Sequence, residues 1–156
     1  MKIIDVVQFQ LSGTSYAIDI KTAREIVEMM PITPVPRAPP HIAGIINLRG
    51  EITNIMNLNR LMGLNFENQQ EGQKIIVLVP EAAGGSIIGL IVDDVHSVLQ
   101  VSLDDIDKMD ASISKEAYVK GIIKTGGSGD GKKDLVIWID IEKVLSETLG
   151  GGEIIA

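Results

Sequence analysis

The sequence predicts a mainly β protein made of two small, similar barrels packed on each other. Three observations carry that prediction. Roughly a quarter of the 156 residues are isoleucine or valine, while aromatics make up 3%; branched side chains favour the pleated, half-buried surface of strands. Short apolar alternations recur between turns built on glycine and proline. The pattern also restarts after a polar stretch, Asn65 to Gln73, as an internal repeat.

The elements follow in order. Val6 to Leu11 alternates and meets the turn Ser12-Gly13-Thr14, after which Tyr16 to Ile20 resumes, so the two read as a hairpin. Lys21 to Arg24 fits either a short helical turn or a bulge, and Glu25 to Met29 reads as a third strand. Five of the six prolines fall between Pro31 and Pro40. Proline fixes φ and removes ladder donors, so this stretch is a stiff, extended surface connection. Ile42 to Leu48 and Glu51 to Met56 flank Arg49-Gly50, a tight hairpin with glycine available for positive φ. Asn57 caps a short helix, Leu58 to Met62, which Gly63 closes. Beyond the polar stretch, strands are expected over Lys74 to Val79, Ser86 to Val92 and Val95 to Val101, with a turn at Ala82 to Gly85. Ser102 opens a short helix to Ile106. Strands at Tyr118 to Lys124 and Leu135 to Ile139 bracket a glycine-rich tip, and Asp140 caps a C-terminal helix, Ile141 to Leu149.

The repeat is the most informative feature. His41-Ile42-Ala43-Gly44-Ile45-Ile46 mirrors Tyr118-Val119-Lys120-Gly121-Ile122-Ile123, and Asn57 to Met62 mirrors Asp140 to Leu145. Upstream, Tyr16 to Ile20 matches Ile88 to Val92. The offset drifts from about 72 to about 83 residues. Two units of about 70 residues, each with five short strands, are too small for broad sandwiches and must curl to hide their edges. The organisation expected is one domain over 1–156, with halves at about 5–64 and 74–149, a short helix after the last strand of each, and a flexible tail at 150–156.

Composition excludes several functions. With no cysteine there is no disulfide framework, thiolate metal site or cysteine nucleophile. A net charge of −7 repels a phosphate backbone, and few aromatics remove a base-stacking platform, so nucleic acid is not an expected partner. No apolar run reaches the length that spans a bilayer, and Met1 to Asp5 meets charge too early for a signal peptide.

No catalytic constellation emerges. The two histidines, His41 and His96, lack metal-ligand spacing, and Gly13 to Ala17 is not a nucleophile elbow. Gly126 to Lys133 nearly satisfies a phosphate-loop pattern, but a strand pattern follows where a helix is needed, and Lys133 replaces the magnesium-binding hydroxyl. Asp104, Asp105, Asp107 and Asp110 lack the calcium-loop order. Asp93 and Asp94, adjacent on a strand, point to opposite faces and cannot flank one substrate without a bulge. Arg49, at a hairpin end, reads as a recognition residue, a clasp to a glutamate, or an ordinary exposed turn cation. No cofactor is expected.

Several stretches resemble the CheW-like family. They are Thr33-Pro34-Val35-Pro36, Ile42 to Ile52 with its Gly-Ile-Ile-Asn-Leu-Arg-Gly core, Gly63-Leu64, Gly89 to Leu99, and Ile137 to Leu145. The similarity runs from about Val6 to Leu149, with Asn54 and Asn57 standing where many relatives carry proline and aspartate and a longer tip around Ser128. The resemblance implies two five-stranded SH3-like barrels. It also implies a non-catalytic, cytoplasmic chemotaxis adaptor that couples the cytoplasmic tips of transmembrane chemoreceptors to the regulatory domain of the histidine kinase CheA, recruited to receptor arrays without entering the membrane. By that resemblance Arg49 pairs with Glu25, Gly44 and Gly50 serve receptor coupling, and apolar positions near Glu25 and Val98 line a groove. A coupling module of another two-component pathway, or a small nucleotide-binding protein using Gly126 to Lys133, are the alternatives.

Overall fold

The computed structural model describes residues 2–64, 72–108, 110, 118–125 and 134–149, and among these it forms eleven strands and two α-helices. The strands are β1 (Ile3–Leu11), β2 (Thr14–Asp19), β3 (Ala23–Glu28), β4 (Ile42–Leu48), β5 (Glu51–Asn57), β6 (Lys74–Leu78), β7 (Ile88–Val92), β8 (Asp94–Ser102), β9 (Ile106–Asp107), β10 (Val119–Thr125) and β11 (Asp134–Ile139). Helix α1 spans Leu58–Leu61 and α2 spans Ile141–Leu149. The two helices start alike: Asn57 accepts from the Arg60 amide at 3.2 Å, and Asp140 from the Lys143 amide at 3.1 Å.

Both readings of residues 21 to 24 occur together. Ile20–Thr22 is a 3-10 turn, and the β3–β6 register shifts between Ala23 and Glu25. The short helix expected after Ser102 is a 3-10 turn, Leu103–Asp105, capped by the Ser102 hydroxyl. It leads into β9, a two-residue strand that periodicity is too short to reveal. The glycine-rich tip, 126–133, lies outside the described residues.

The strands form two sheets, in the orders β8-β1-β2-β11-β10-β9 and β3-β6-β7-β5-β4. The repeat counterparts β1/β6, β2/β7, β3/β8, β4/β10 and β5/β11 occupy matching places in the two orders. The sequence halves, however, do not each make a sheet. Each half lends its first hairpin (β1-β2 or β6-β7) to the sheet completed by the later strands of the other half. Parallel pairing joins the exchanged pieces, with Ala17 opposite Trp138 and Gly89 opposite Ile55. A contiguous division at 65–73 thus marks the sequence repeat and not the sheets.

Each sheet closes on itself. The chain beyond β3 returns to the far edge, where Thr33 and Ile45 exchange two backbone hydrogen bonds of 2.9 Å. In the other sheet β8 continues into β9, which pairs with Ile122 and Ile123 of β10. At each closure a glycine admits the crossing segment: a Cβ on Gly44 would lie 2.2 Å from the Thr33 carbonyl oxygen, and one on Gly121 2.4 Å from Ile106 Cγ2.

Three cores result. Val6, Ala17, Val101, Ile123 and Val136 fill the first sheet, and Ile46, Leu48, Ile55, Ile75, Val77 and Ile91 fill the second. Between the sheets lies a larger core fed by Val7, Phe9, Leu11 and Ile18 from one exchanged hairpin and by Ile76, Leu78, Ile88 and Leu90 from the other, with Leu58 and Val144 from the helices. The exchanged strands are thus buried on both faces, so β7 is a continuous apolar run where a half-buried strand would alternate.

Candidate functional site

The β4–β5 turn carries Arg49 and Gly50, both at positive φ (52° and 86°), the combination that suits a two-residue hairpin. The Asn47 side-chain carbonyl holds the turn by accepting from the Gly50 amide at 2.8 Å. From it the Arg49 guanidinium donates to Glu25 of β3. Arg24 in turn reaches Glu25 at 3.4 Å and Glu51 at 2.7 Å. The result is a chain of alternating charge, Arg49–Glu25–Arg24–Glu51, that joins β3 to the β4–β5 hairpin, which contains the sheet's opposite edge. The hydrogen bond from Arg49 holds the Glu25 carboxyl below the usual glutamate range, and the bond to Glu51 makes Arg24 still harder to deprotonate. Such exposed pairs add little to stability. What they do is tie β3 to the β4–β5 hairpin.

Glu25, Gly44, Arg49 and Gly50 therefore all belong to the closure of the second sheet. Val98 does not: it lies on β8, the edge of the first sheet, 53% exposed. Its place becomes clear from register. Val98 stands directly opposite Val7, and directly paired residues share a face. Val7 belongs to the inter-sheet core, so Val98 extends that core outward to solvent. The repeat counterpart is Ile26 of β3, 40% exposed and directly opposite Ile76, also a member of the shared core. Ala23 and Val95 pack partly buried against the same core. Two edge strands, one from each sheet, thus each expose an apolar side chain on the face that carries the shared core.

Ile26, Ala23 and Val95 were not singled out from sequence. The signal that could have found Ile26 was the offset of about 72 residues that relates Tyr16 to Ile88 and equally Ile26 to Val98. Arg24 carried no motif, Glu51 lay in the resembling stretch Ile42 to Ile52 without a role of its own, and Gly121 was visible only as the mirror of Gly44.

The remaining candidates have structural occupations. The Asp93 carboxylate accepts from the Ser12 amide (2.7 Å) and from Asn59 Nδ2 (3.0 Å), while Asp94 accepts from the Val95 amide. The His41 carbonyl receives the Asn57 amide, the same bond Tyr118 makes to Asp140. His96 is an exposed residue of β8. The stretch 126–133 joins β10 to β11, with Thr125 opposite Asp134, so a strand and not a helix follows it. Among the described residues no group of His, Cys, Asp or Glu could hold a metal ion, and no helix is long and apolar enough to cross a membrane.

Two curled sheets that exchange hairpins, share a core and leave that core exposed along two edge strands define a double-barrel β scaffold. The chain belongs to the CheW-like family, whose CheW-like domain matches residues 5–149. Among its relatives, the chemotaxis protein CheW of Thermotoga maritima is 29% identical over 147 residues, covering 94% of this chain and 91% of that protein. The chemotaxis protein CheW of Treponema pallidum is 32% identical over 147 residues, covering 90% and 81%. The crystal structure of the scaffolding protein TtCheW from Thermoanaerobacter tengcongensis superposes with a TM-score of 0.73 at 31% identity, covering 89% of this chain and 85% of that one. As a member of that family the chain is a non-catalytic scaffold of chemotaxis type.

Proposed function

We propose that this chain is the adaptor that couples the cytoplasmic tips of transmembrane chemoreceptors to the regulatory domain of the histidine kinase CheA, working in the cytoplasm at receptor arrays. The observation that carries the reading is that Ile26 and Val98 expose apolar side chains on the shared-core face of two edge strands, which we take as the two rims of one seam. A helix with an apolar stripe can lay that stripe on such a seam, the helix-in-groove mode of recognition. The Arg49–Glu25 chain holds one rim, β3, against the β4–β5 hairpin, so its part is positional. Gly44 and Gly50 contribute by closing the barrel that carries this rim. Signal would pass because both partners grip one body and so sense each other's orientation.

Co-sedimentation with receptor tips and kinase tests this. Burying a valine or isoleucine contributes about 1.5–3 kcal/mol, so Val98→Lys and Ile26→Lys should each weaken receptor capture about tenfold or more while kinase capture persists. Equal capture of the receptor by wild type and both variants rejects the seam as the receptor site. Capture of neither partner by wild type points to the related role in another two-component pathway.

A further inference from the structure

We propose that Ser12, Asn59 and Asp93 form a latch that sets the angle between the two barrels. The described chain passes between the sheets at two places: from β2 to β3 through Ile20–Thr22, and from β7 to β8 through Asp93. Asp93 is therefore a hinge by position. Its Oδ2 accepts from the backbone amide of Ser12, at the tip of the β1–β2 hairpin in the first sheet, at 2.7 Å. Its Oδ1 accepts from Nδ2 of Asn59 at 3.0 Å. Asn59 sits in α1, which follows directly from β5 of the second sheet, and it is 3% exposed. The third side of the triangle runs from Ser12 Oγ to Asn59 Oδ1 at 2.8 Å. The Asp93 amide adds a bond to the Gln10 carbonyl of β1 at 3.0 Å. One residue from each barrel is thus hydrogen-bonded to the crossover and to the other.

The counterpart helix α2 meets Ala83 of the other barrel within the apolar inter-sheet core, through Ile141, Val144 and Leu145. Apolar contact is non-directional and tolerates sliding, whereas hydrogen bonds weaken steeply as their angles change. The shared core therefore holds the barrels together, and the latch selects one angle. Ser12 keeps φ at 51°, a conformation glycine takes more readily, consistent with a hydroxyl needed at that tip. Because Ile26 and Val98 rim the seam from different sheets, the angle also sets the seam's width. That consequence rests on the proposed receptor role; the latch itself does not.

The chain contains no cysteine, so Ile52→Cys and Leu135→Cys, at exposed positions on the two sheets, give unique sites for spin labels. Pulsed dipolar spectroscopy then reads the inter-barrel distance with no partner present, and its outcome is independent of whether the receptor reading holds. The latch predicts one narrow distance for the otherwise native chain. Asp93→Ala removes both acceptors and Asn59→Asp places carboxylate against carboxylate; each should broaden the distribution about twofold or add a second distance. The double variant Asp93→Asn with Asn59→Asp exchanges the roles of amide and carboxylate and keeps acceptors for the Ser12 amide and hydroxyl. It should recover the single distance, at a lower melting temperature because the charge now sits at the buried position. Folded single variants with an unchanged distance, or a double variant as broad as the singles, overturn the latch. If a single variant does not fold, Ser12→Ala, which loses one bond of the triangle, is read instead. Broadening then supports the latch and an unchanged distance overturns it.

Discussion

Replacing Gly44 with alanine is the sharpest probe of the barrel closure. The added Cβ would sit 2.2 Å from the Thr33 carbonyl oxygen, 2.8 Å from the Thr33 carbonyl carbon and 2.7 Å from Ile32 Cγ2, at a φ of +146°. Two of these three atoms are backbone, so no rotamer change relieves the contact. The strand must part from the crossing segment and lose the two Thr33–Ile45 hydrogen bonds, at about 1 kcal/mol each. Backbone strain adds about 1–3 kcal/mol, for a total of about 3–5 kcal/mol. That is a large share of a typical stability of about 5–15 kcal/mol, and the melting temperature should fall by the order of 10 °C. Two further glycines calibrate the effect. At Gly121 the nearest atom is the side-chain Ile106 Cγ2, so Gly121→Ala should cost less. At Gly50 nothing lies within 4 Å and only the positive φ is strained, so Gly50→Ala should cost about 1 kcal/mol. Thermal unfolding gives the ranking, and hydrogen exchange at the Thr33 and Ile45 amides localises it. A Gly44→Ala protein that melts within about 2 °C of wild type, with both amides still protected, would refute the closure argument.

The Glu25 carboxyl titrates below the ordinary 4.5 because Arg49 is hydrogen-bonded to its charged form. The stability it contributes is therefore complete above that ordinary value and is lost as pH falls through the lower folded-state value. Glu25→Gln should consequently lose less melting temperature than wild type between about pH 5 and pH 3; parallel curves would rule this out. Arg49→Ala should leave the melting temperature within about 2 °C of wild type yet reduce receptor capture more than kinase capture, and equal unchanged capture of both would remove Arg49 from the coupling site. Trp138 donates to Asp19 at 2.8 Å while Lys120 bridges Asp19 at 3.1 Å and lies 5.0 Å from the indole centroid. Trp138→Phe keeps an aromatic ring but removes the donor and part of the packed indole, so a loss of at least about 1 kcal/mol is expected in denaturant unfolding; no change would show that water replaces the bond without penalty.

Much of the local structure was legible because it depends on near neighbours. Asn57 and Asp140 announce their helices through a side chain that reaches an amide three residues on, and the Arg49-Gly50 turn follows from φ preferences within two residues. The repeat was legible for the same reason: each unit spells out the same order of strands, turn and cap. The exchange of hairpins was not. Whether β2 pairs with β5 or with β11 depends on partners more than a hundred residues away, such as Trp138 for Ala17, and an alternation of apolar residues does not name its neighbour. Val98 shows the same limit within the candidate site. A valine on an edge strand looks alike whether it faces a barrel interior or the seam, and only its register against Val7 decides.

By itself the sequence determined the β character, the duplication, the helix caps and the absence of recognisable catalytic motifs, because these follow from residue type and short spacing. Only the tertiary structure decided which strands share a sheet, that Asp93 bonds to Ser12 and Asn59 from the two barrels, and that Ile26 and Val98 stand opposite members of the shared core. Those outcomes are set by cross-strand register and by which faces bury together, and both are properties of the assembled chain rather than of any segment of it.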